Sequence, residues 1–166
     1  MAHRTLPNTF ELDAVSWKIL EALQLNARKS FAEIGRLIGL STPAVAERVH
    51  RLEEAGVITG YHVALDVAKL GVPIRVMVRL TIPGGDVQVS RSVAAVKEMS
   101  EICRCHRVTG DESFVIEANV VSIRHLEALI DKLSAFGATS TSTVLSSPVQ
   151  RRQYYARQIE AFDKYS

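Results

Sequence analysis

Residues 30–58, SFAEIGRLIGLSTPAVAERVHRLEEAGVI, leave little choice of local structure. Ser30 and Glu33 have the S-x-x-E spacing of a capping box, so a helix is expected to begin at Phe31. Gly39 can take the left-handed conformation that ends such a helix. Ser41 or Thr42 then caps a second helix, with Pro43 in its first turn, where a missing N–H costs nothing. Val45, Val49 and Leu52 follow at helical spacing and are expected to face inward, leaving Ala44, Glu47, Arg48 and Arg51 outward. A short helix, a tight turn and a second helix with small and basic outward residues describe a helix-turn-helix. The partner that pattern implies is double-stranded DNA.

At 166 residues and 47% hydrophobic, the chain can hold one medium domain or two small ones. No apolar run approaches the roughly 20 residues that span a bilayer. The opening MAHRTLPNTFELD lacks the apolar centre of a signal peptide, so a cytoplasmic protein with no membrane partner is expected. The formal charge of +2 does not identify a nucleic-acid binder. Residues 1–60 carry seven Lys or Arg and seven Asp or Glu, so the DNA reading rests on placement rather than bulk charge. Cys103 and Cys105 lie in ICRCHRV, which alternates like a strand. An i, i+2 pair in a strand shares a face, with its side chains too far apart for an easy disulfide. C-x-C without further cysteines is a poor metal signal, even with His106 and His125 in the chain. Reduced thiols packed on a sheet are expected, with no metal and no cofactor.

The remaining periodicity gives a small helical head and an α+β domain. A first helix is expected over residues 12–25, with Asp13 as its cap and Val15, Ile19, Leu20 and Leu23 on its apolar side. Trp17 reads as structural rather than as a base-stacking group. Residues 60–65, GYHVAL, read as a short strand able to pair with a copy of itself, and residues 66–71 as a hinge turn. Strands are expected over 74–82, 102–109, 114–121 and 139–145. Helices are expected from Asp86 to about Met99, with Val89, Val93 and Val96 on one side, and from Ser122 or Ile123 to Leu133, ended by Gly137. The order β-α-β-β-α-β is that of a ferredoxin-like sandwich with both helices on one face of an antiparallel sheet. Residues 1–60 are therefore expected to form a helix-turn-helix domain and 61–72 a linker strand and hinge. Residues 73–148 are expected to form that sandwich, with a face and edges available to a second copy, and 149–166 a mobile or amphipathic tail.

The chain resembles the leucine-responsive and asparagine-regulator (Lrp/AsnC) family of prokaryotic transcription factors nearly end to end. The resemblance is carried by LDAVSWKIL (12–20), LSTPAVAERVHRLEEAGVITGY (40–61), VTGDESF (108–114) and TSTVL (141–145). It implies a winged helix-turn-helix head and a ligand-sensing ferredoxin-like domain. It also implies homo-oligomers, dimers that assemble into tetramers or octamers, and small effectors that are usually amino acids. Two positions depart from the family pattern: Ser16 and Ser113 stand where an acidic residue is usual. Ser16 is expected to affect only local packing, whereas Ser113 lies beside the effector loop.

The candidate DNA-binding residues are Ser41, Thr42, Ala44, Arg48 and Arg51. Arginine can pair bidentately with guanine or phosphate, and the N-terminal turn of the second helix can reach phosphates. The bland reading of Glu47 and Arg51 is an i, i+4 pair on a solvated face. The candidate effector-binding residues are Val108, Thr109, Gly110, Asp111 and Ser113, with Ser140, Thr141 and Ser142 adding hydroxyls. Gly110 admits a close backbone approach, and Asp111 can pair with an α-ammonium group. The bland reading of Gly-Asp between two strands is a hairpin turn. An enzyme is the competing class: sirohaem-type tetrapyrrole decarboxylases share this architecture. Arg104 and His106 nevertheless fall on one strand face and Arg107 on the other. A purely architectural DNA binder without effector is a third reading.

Overall fold

The computed structural model describes residues 12–84 and 86–162. They fall into two compact units: the described parts of Met1–Val63 and Val149–Ser166, and the segment Ala64–Pro148.

The first unit holds three helices, α1 (Ala14–Leu25), α2 (Phe31–Ile38) and α3 (Thr42–Glu54). Helix α1 starts two residues later than the periodicity predicts, because Asp13 is its extended N-cap and accepts from the Ser16 N–H at 2.7 Å. Helix α2 has both halves of the capping box, with the Glu33 carboxylate accepting from the Ser30 N–H at 2.7 Å. Gly39 ends it at φ +76°. A Cβ on Gly35 would collide with the Leu40 carbonyl, so glycine there permits the tight turn into α3. Ser41, not Thr42, caps α3, accepting from the Ala44 N–H.

Ile19, Ile34, Val45, Val49 and Leu52 are enclosed at the centre of the head, each contributing roughly 1.5–3 kcal/mol by leaving water. Val57 and Ile58 fold back onto this core, their N–H groups donating to the Leu52 carbonyl. Residues 59–65 form no strand: a ladder needs a partner, and the single chain supplies none. The strand expected over 60–65 was one able to pair with a second copy, and it is not made within the single chain. Tyr61 instead donates to Glu53 at 3.0 Å, while Val63 and Leu65 lie exposed. Residues 67–71 do form a turn, with Gly71 at φ +86°.

The second unit runs β1 (Ile74–Thr81), α4 (Asp86–Glu98), β2 (Ile102–Arg107), β3 (Phe114–Val120), α5 (Ile123–Ser134) and β4 (Ala138–Thr143). The antiparallel sheet has strand order β2-β3-β1-β4, as a ferredoxin-like sandwich requires. Val76, Val78, Leu80, Phe114, Ile116, Ala118 and Val120 point to one face and pack with Val96 of α4 and Leu126, Leu129 and Leu133 of α5. Strict alternation leaves Arg75, Met77, Arg79, Val115, Glu117 and Asn119 on the opposite face.

Two expectations for this unit need correction. Gly137 does not end α5, which stops at Ser134 with Ala135 as its cap. A side chain at 137 would strike the Thr81 carbonyl, so this glycine lets the chain approach the end of β1. Cys103 and Cys105 do not share a face, because β2 is irregular between Ile102 and Arg104. Cys105 pairs with Ile116 on the helix-covered face, whereas Cys103 donates to the Glu117 carbonyl and accepts from Asn119. Both thiols are free and exposed.

The C-terminal segment ends in a short helix, α6 (Ala156–Phe162), with no buried residue. It is tied to the head: the Gln24 side-chain amide donates to the Tyr154 carbonyl and accepts from the Tyr154 N–H, both at 2.9 Å.

Candidate functional site

Helix α3 presents its first turn to solvent. Ser41, Thr42 and Pro43 are exposed, and the Ser41 hydroxyl already serves one backbone N–H as a cap. Ala44 is half-buried rather than outward. Farther along the helix Glu47 and Arg51 are exposed, and His50 lies on the surface 3.3 Å from Glu54.

Arg48, expected to point outward, is half-buried and paired. Its guanidinium is half-buried, lies 2.8 Å from Asp13 Oδ2 and donates at 3.4 Å to the Ser16 hydroxyl. Burial pushes the Asp13 carboxyl up, but its hydrogen bonds to Ser16 and Arg48 outweigh this and hold it down at about 2. Asp13 therefore caps α1 with one oxygen and ties α1 to α3 with the other. Ser16, 4% exposed, completes the tie and fits beneath the arginine, in keeping with a local packing role. The sequence displayed the cap, but no spacing rule reveals a partner 35 residues away.

The β2–β3 loop is the second candidate. Thr109, Gly110 and Asp111 are exposed, Val108 and Ser113 are half-buried, and Gly110 takes φ +115°. The loop is a fastened hairpin. The Val108 N–H donates to the Ser113 carbonyl at 3.2 Å, and the Thr81 hydroxyl donates to the Asp111 carbonyl at 3.3 Å. Ser113 is occupied as well: its hydroxyl accepts from the Ile82 N–H at 3.0 Å, and its own N–H donates to Leu80. The Ser113 hydroxyl thus has a structural task beside any contact with a ligand. It satisfies backbone at the end of β1, where the chain leaves the sheet.

The three hydroxyls of β4 do not act together either. Ser140 and Ser142 pair with Arg79 and Met77 on the open face, whereas Thr141 pairs with Val78 on the helix-covered face. Arg79 donates to Ser142 at 3.4 Å and sits between Ser140 and Val115. Arg79 and Thr81 were absent from the expected set, although the alternation of IRVMVRLT in β1 placed both arginines, 75 and 79, on one face. On that face Glu117 lies 3.4 Å from both Arg75 and Arg104. Arg104 and His106 share the open face and Arg107 pairs with Phe114 on the other, as alternation requires.

Glu101 anchors the sandwich from a different side. Its nearly enclosed carboxylate accepts from Lys132 at 2.9 Å and lies 3.2 Å from His125 Nε2. Those bonds, Lys132 foremost, hold it down at about 2. Among the described residues, no group of three or more His, Cys, Asp or Glu is placed to hold a metal ion.

A capped helix-turn-helix followed by a ferredoxin-like sandwich is the layout of a DNA-binding regulator with a separate ligand-binding domain. Residues 12–53 match the AsnC-type helix-turn-helix domain, and residues 75–154 match the Lrp/AsnC ligand binding domain. The HTH-type transcriptional regulator LrpC of Bacillus subtilis is 33% identical over 82% of this chain and 93% of its own. The leucine-responsive regulatory protein of Haemophilus influenzae is 36% identical over 72% of each chain. The structure of the Bacillus subtilis protein superposes with a TM-score of 0.80, at 32% identity, covering 86% of this chain and all of that one. That of Escherichia coli AsnC gives 0.78 at 28% identity, covering 86% and 98%. The chain belongs to the Lrp/AsnC family of transcriptional regulators. It is a DNA-binding protein rather than an enzyme, and none of these relatives supports a decarboxylase.

Proposed function

We propose that this regulator reads double-stranded DNA with Arg51 and the first turn of α3, as a homo-oligomer whose assembly answers to an amino acid. The observation that carries the DNA assignment is the exposure of Ser41, Thr42 and Arg51 along a helix whose opposite side is sealed into the head core. Hydroxyls and N–H groups at a helix N-terminus suit phosphates, and an arginine one face away suits guanine or phosphate. Arg48 acts indirectly, by holding α3 against α1. Two heads related by a two-fold axis would meet half-sites about one helical turn, roughly 34 Å, apart or at multiples of it. Dimers that assemble into tetramers or octamers would add further heads. No helix among the described residues is long and apolar enough to cross a membrane, and a cytoplasmic regulator is the setting we assign.

For the effector, Asp111 is the exposed acid of the β2–β3 loop and would hold the ammonium group, with Gly110 admitting the ligand. The name of the leucine-responsive relative supports an amino acid as the class. Because Ser113 supplies no second carboxylate, affinity is expected in the upper micromolar to millimolar range, about −4 to −6 kcal/mol. The effector can shift assembly only as far as its affinities for the two assemblies differ. Calorimetry against the twenty amino acids tests this reading. Binding that is abolished by Asp111→Asn, with DNA affinity of the free protein unchanged, is the expected result. No binding at about 10 mM would make the loop a hairpin only.

A further inference from the structure

The C-terminal segment is attached to the head in an unusually specific way for a tail. A single side-chain amide, Gln24, satisfies both backbone groups of a single residue, Tyr154, at 2.9 Å each. That is the pattern of one rung of a strand ladder, and it fixes the segment's register on the last turn of α1. The segment held by this clamp is basic. Residues 149–157, VQRRQYYAR, contain three arginines and no acid. Arg151, Arg152 and Arg157 are all exposed, and Arg157 lies over the Tyr155 ring at 5.7 Å. Arg28 and Lys29 follow Gln24 closely in the loop that leads to the Ser30 cap of α2.

The head itself lacks such an excess. Its described residues 12–60 carry six basic and six acidic side chains, and Arg48 is already paired with Asp13. A protein that neutralises DNA phosphates gains affinity from each lysine or arginine it brings to the backbone, whatever the base sequence. In this unit the surplus of positive charge resides in the tail.

We propose that residues 149–157 form a second DNA-contacting arm, clamped to the helix-turn-helix head through Gln24 and supplying phosphate contacts beside those of α3. The inference rests on the reading of the protein as a DNA-binding regulator. The arm takes the sugar–phosphate backbone as its partner and carries no base specificity: Arg151 and Arg152 lie outside any helix, and Arg157 is at the start of one only seven residues long.

The test is the salt dependence of binding to two duplexes, one selected from a random pool by the wild-type protein and one unrelated. Three full-length proteins are compared: wild type, the Arg151→Ala/Arg152→Ala/Arg157→Ala variant, and Gln24→Ala. Each lost contact lowers the log–log slope by about 0.9, so the triple variant should lose about two to three units on both duplexes alike. Gln24→Ala keeps every charge and should fall between the two, because its arm is untethered. Unchanged melting temperature and light scattering confirm that fold and assembly are intact. A triple variant with the wild-type slope overturns the proposal, as does a lowered slope explained by loss of assembly. Wild type that binds neither duplex overturns the regulator reading and the arm with it.

Discussion

Helix α3 and the β2–β3 loop each contain a polar residue that pairing within the fold has claimed, yet the two cases differ in kind. In α3 the claimed group is a charged one, Arg48, held by Asp13 from another helix with both side chains still partly open to water. In the sandwich it is a neutral one, Ser113, held by the Ile82 backbone N–H at a strand end. The first arrangement positions an element that meets a partner, and it is strengthened or weakened by pH and salt. The second satisfies a backbone donor that has left its ladder, and it is indifferent to both. Side chains suited to ligand recognition are also suited to internal hydrogen bonding. What remains for the ligand is decided by partners distant in sequence.

The largest effect expected on this comparison concerns Arg51, exposed on α3 where Arg48 is half-buried. Arg51→Ala should weaken DNA binding by about 1–3 kcal/mol, roughly five- to 150-fold, with no change in melting temperature. An equal loss with a lowered melting temperature would erase the distinction between Arg51 and Arg48. On the sandwich side, Ser113→Ala leaves the Ile82 N–H without its acceptor and should lower unfolding stability by about 1 kcal/mol. Ser113→Asp supplies another acceptor at that place and should keep most of the stability. Denaturant unfolding of both variants decides, and equal losses would show that the serine hydroxyl does not act through that bond.

Much of the head was legible because its signals are local. The Ser30–Glu33 box, Gly39, the Ser41 cap and the spacing of Val45, Val49 and Leu52 each act within a turn or two of helix. The sandwich topology was legible from the alternation of its strands and the punctuation between them. What escaped was long-range or depended on register. Asp13 and Arg48 meet across 35 positions, and Gln24 and Tyr154 across 130. The irregularity in β2 separates two cysteines that a regular strand would align. Thr141 was grouped with Ser140 and Ser142, although period-two alternation alone sends it to the opposite face. The strand expected over 60–65 has the right residues but no partner within one chain.

Acid provides a finer test of the same contrast. Asp13 and Glu101 are both held at about 2, below the ordinary carboxylate values of 3.8 and 4.5. A depressed carboxylate stabilises the fold above its unfolded value, and that contribution is lost as pH falls through the folded one. Both units should therefore weaken between about pH 4.5 and 2. Asp13→Asn should flatten that acid limb for the head and Lys132→Met for the sandwich, read as melting temperature against pH. Because Asp13 and Lys132 are themselves open to water, each change should be small, on the order of 1 kcal/mol or less. An acid limb unaltered by either substitution would remove these carboxylates from the account.

The central claim is that Arg48 serves DNA binding only through Asp13, by holding α3 to α1. A double-mutant cycle of Asp13→Ala and Arg48→Ala, followed by DNA affinity at fixed salt, addresses it most directly. Arg48→Ala should weaken binding in the wild-type background and have little further effect once Asp13 is alanine. An equal loss in both backgrounds would mean that Arg48 reaches the DNA itself, and would contradict the account.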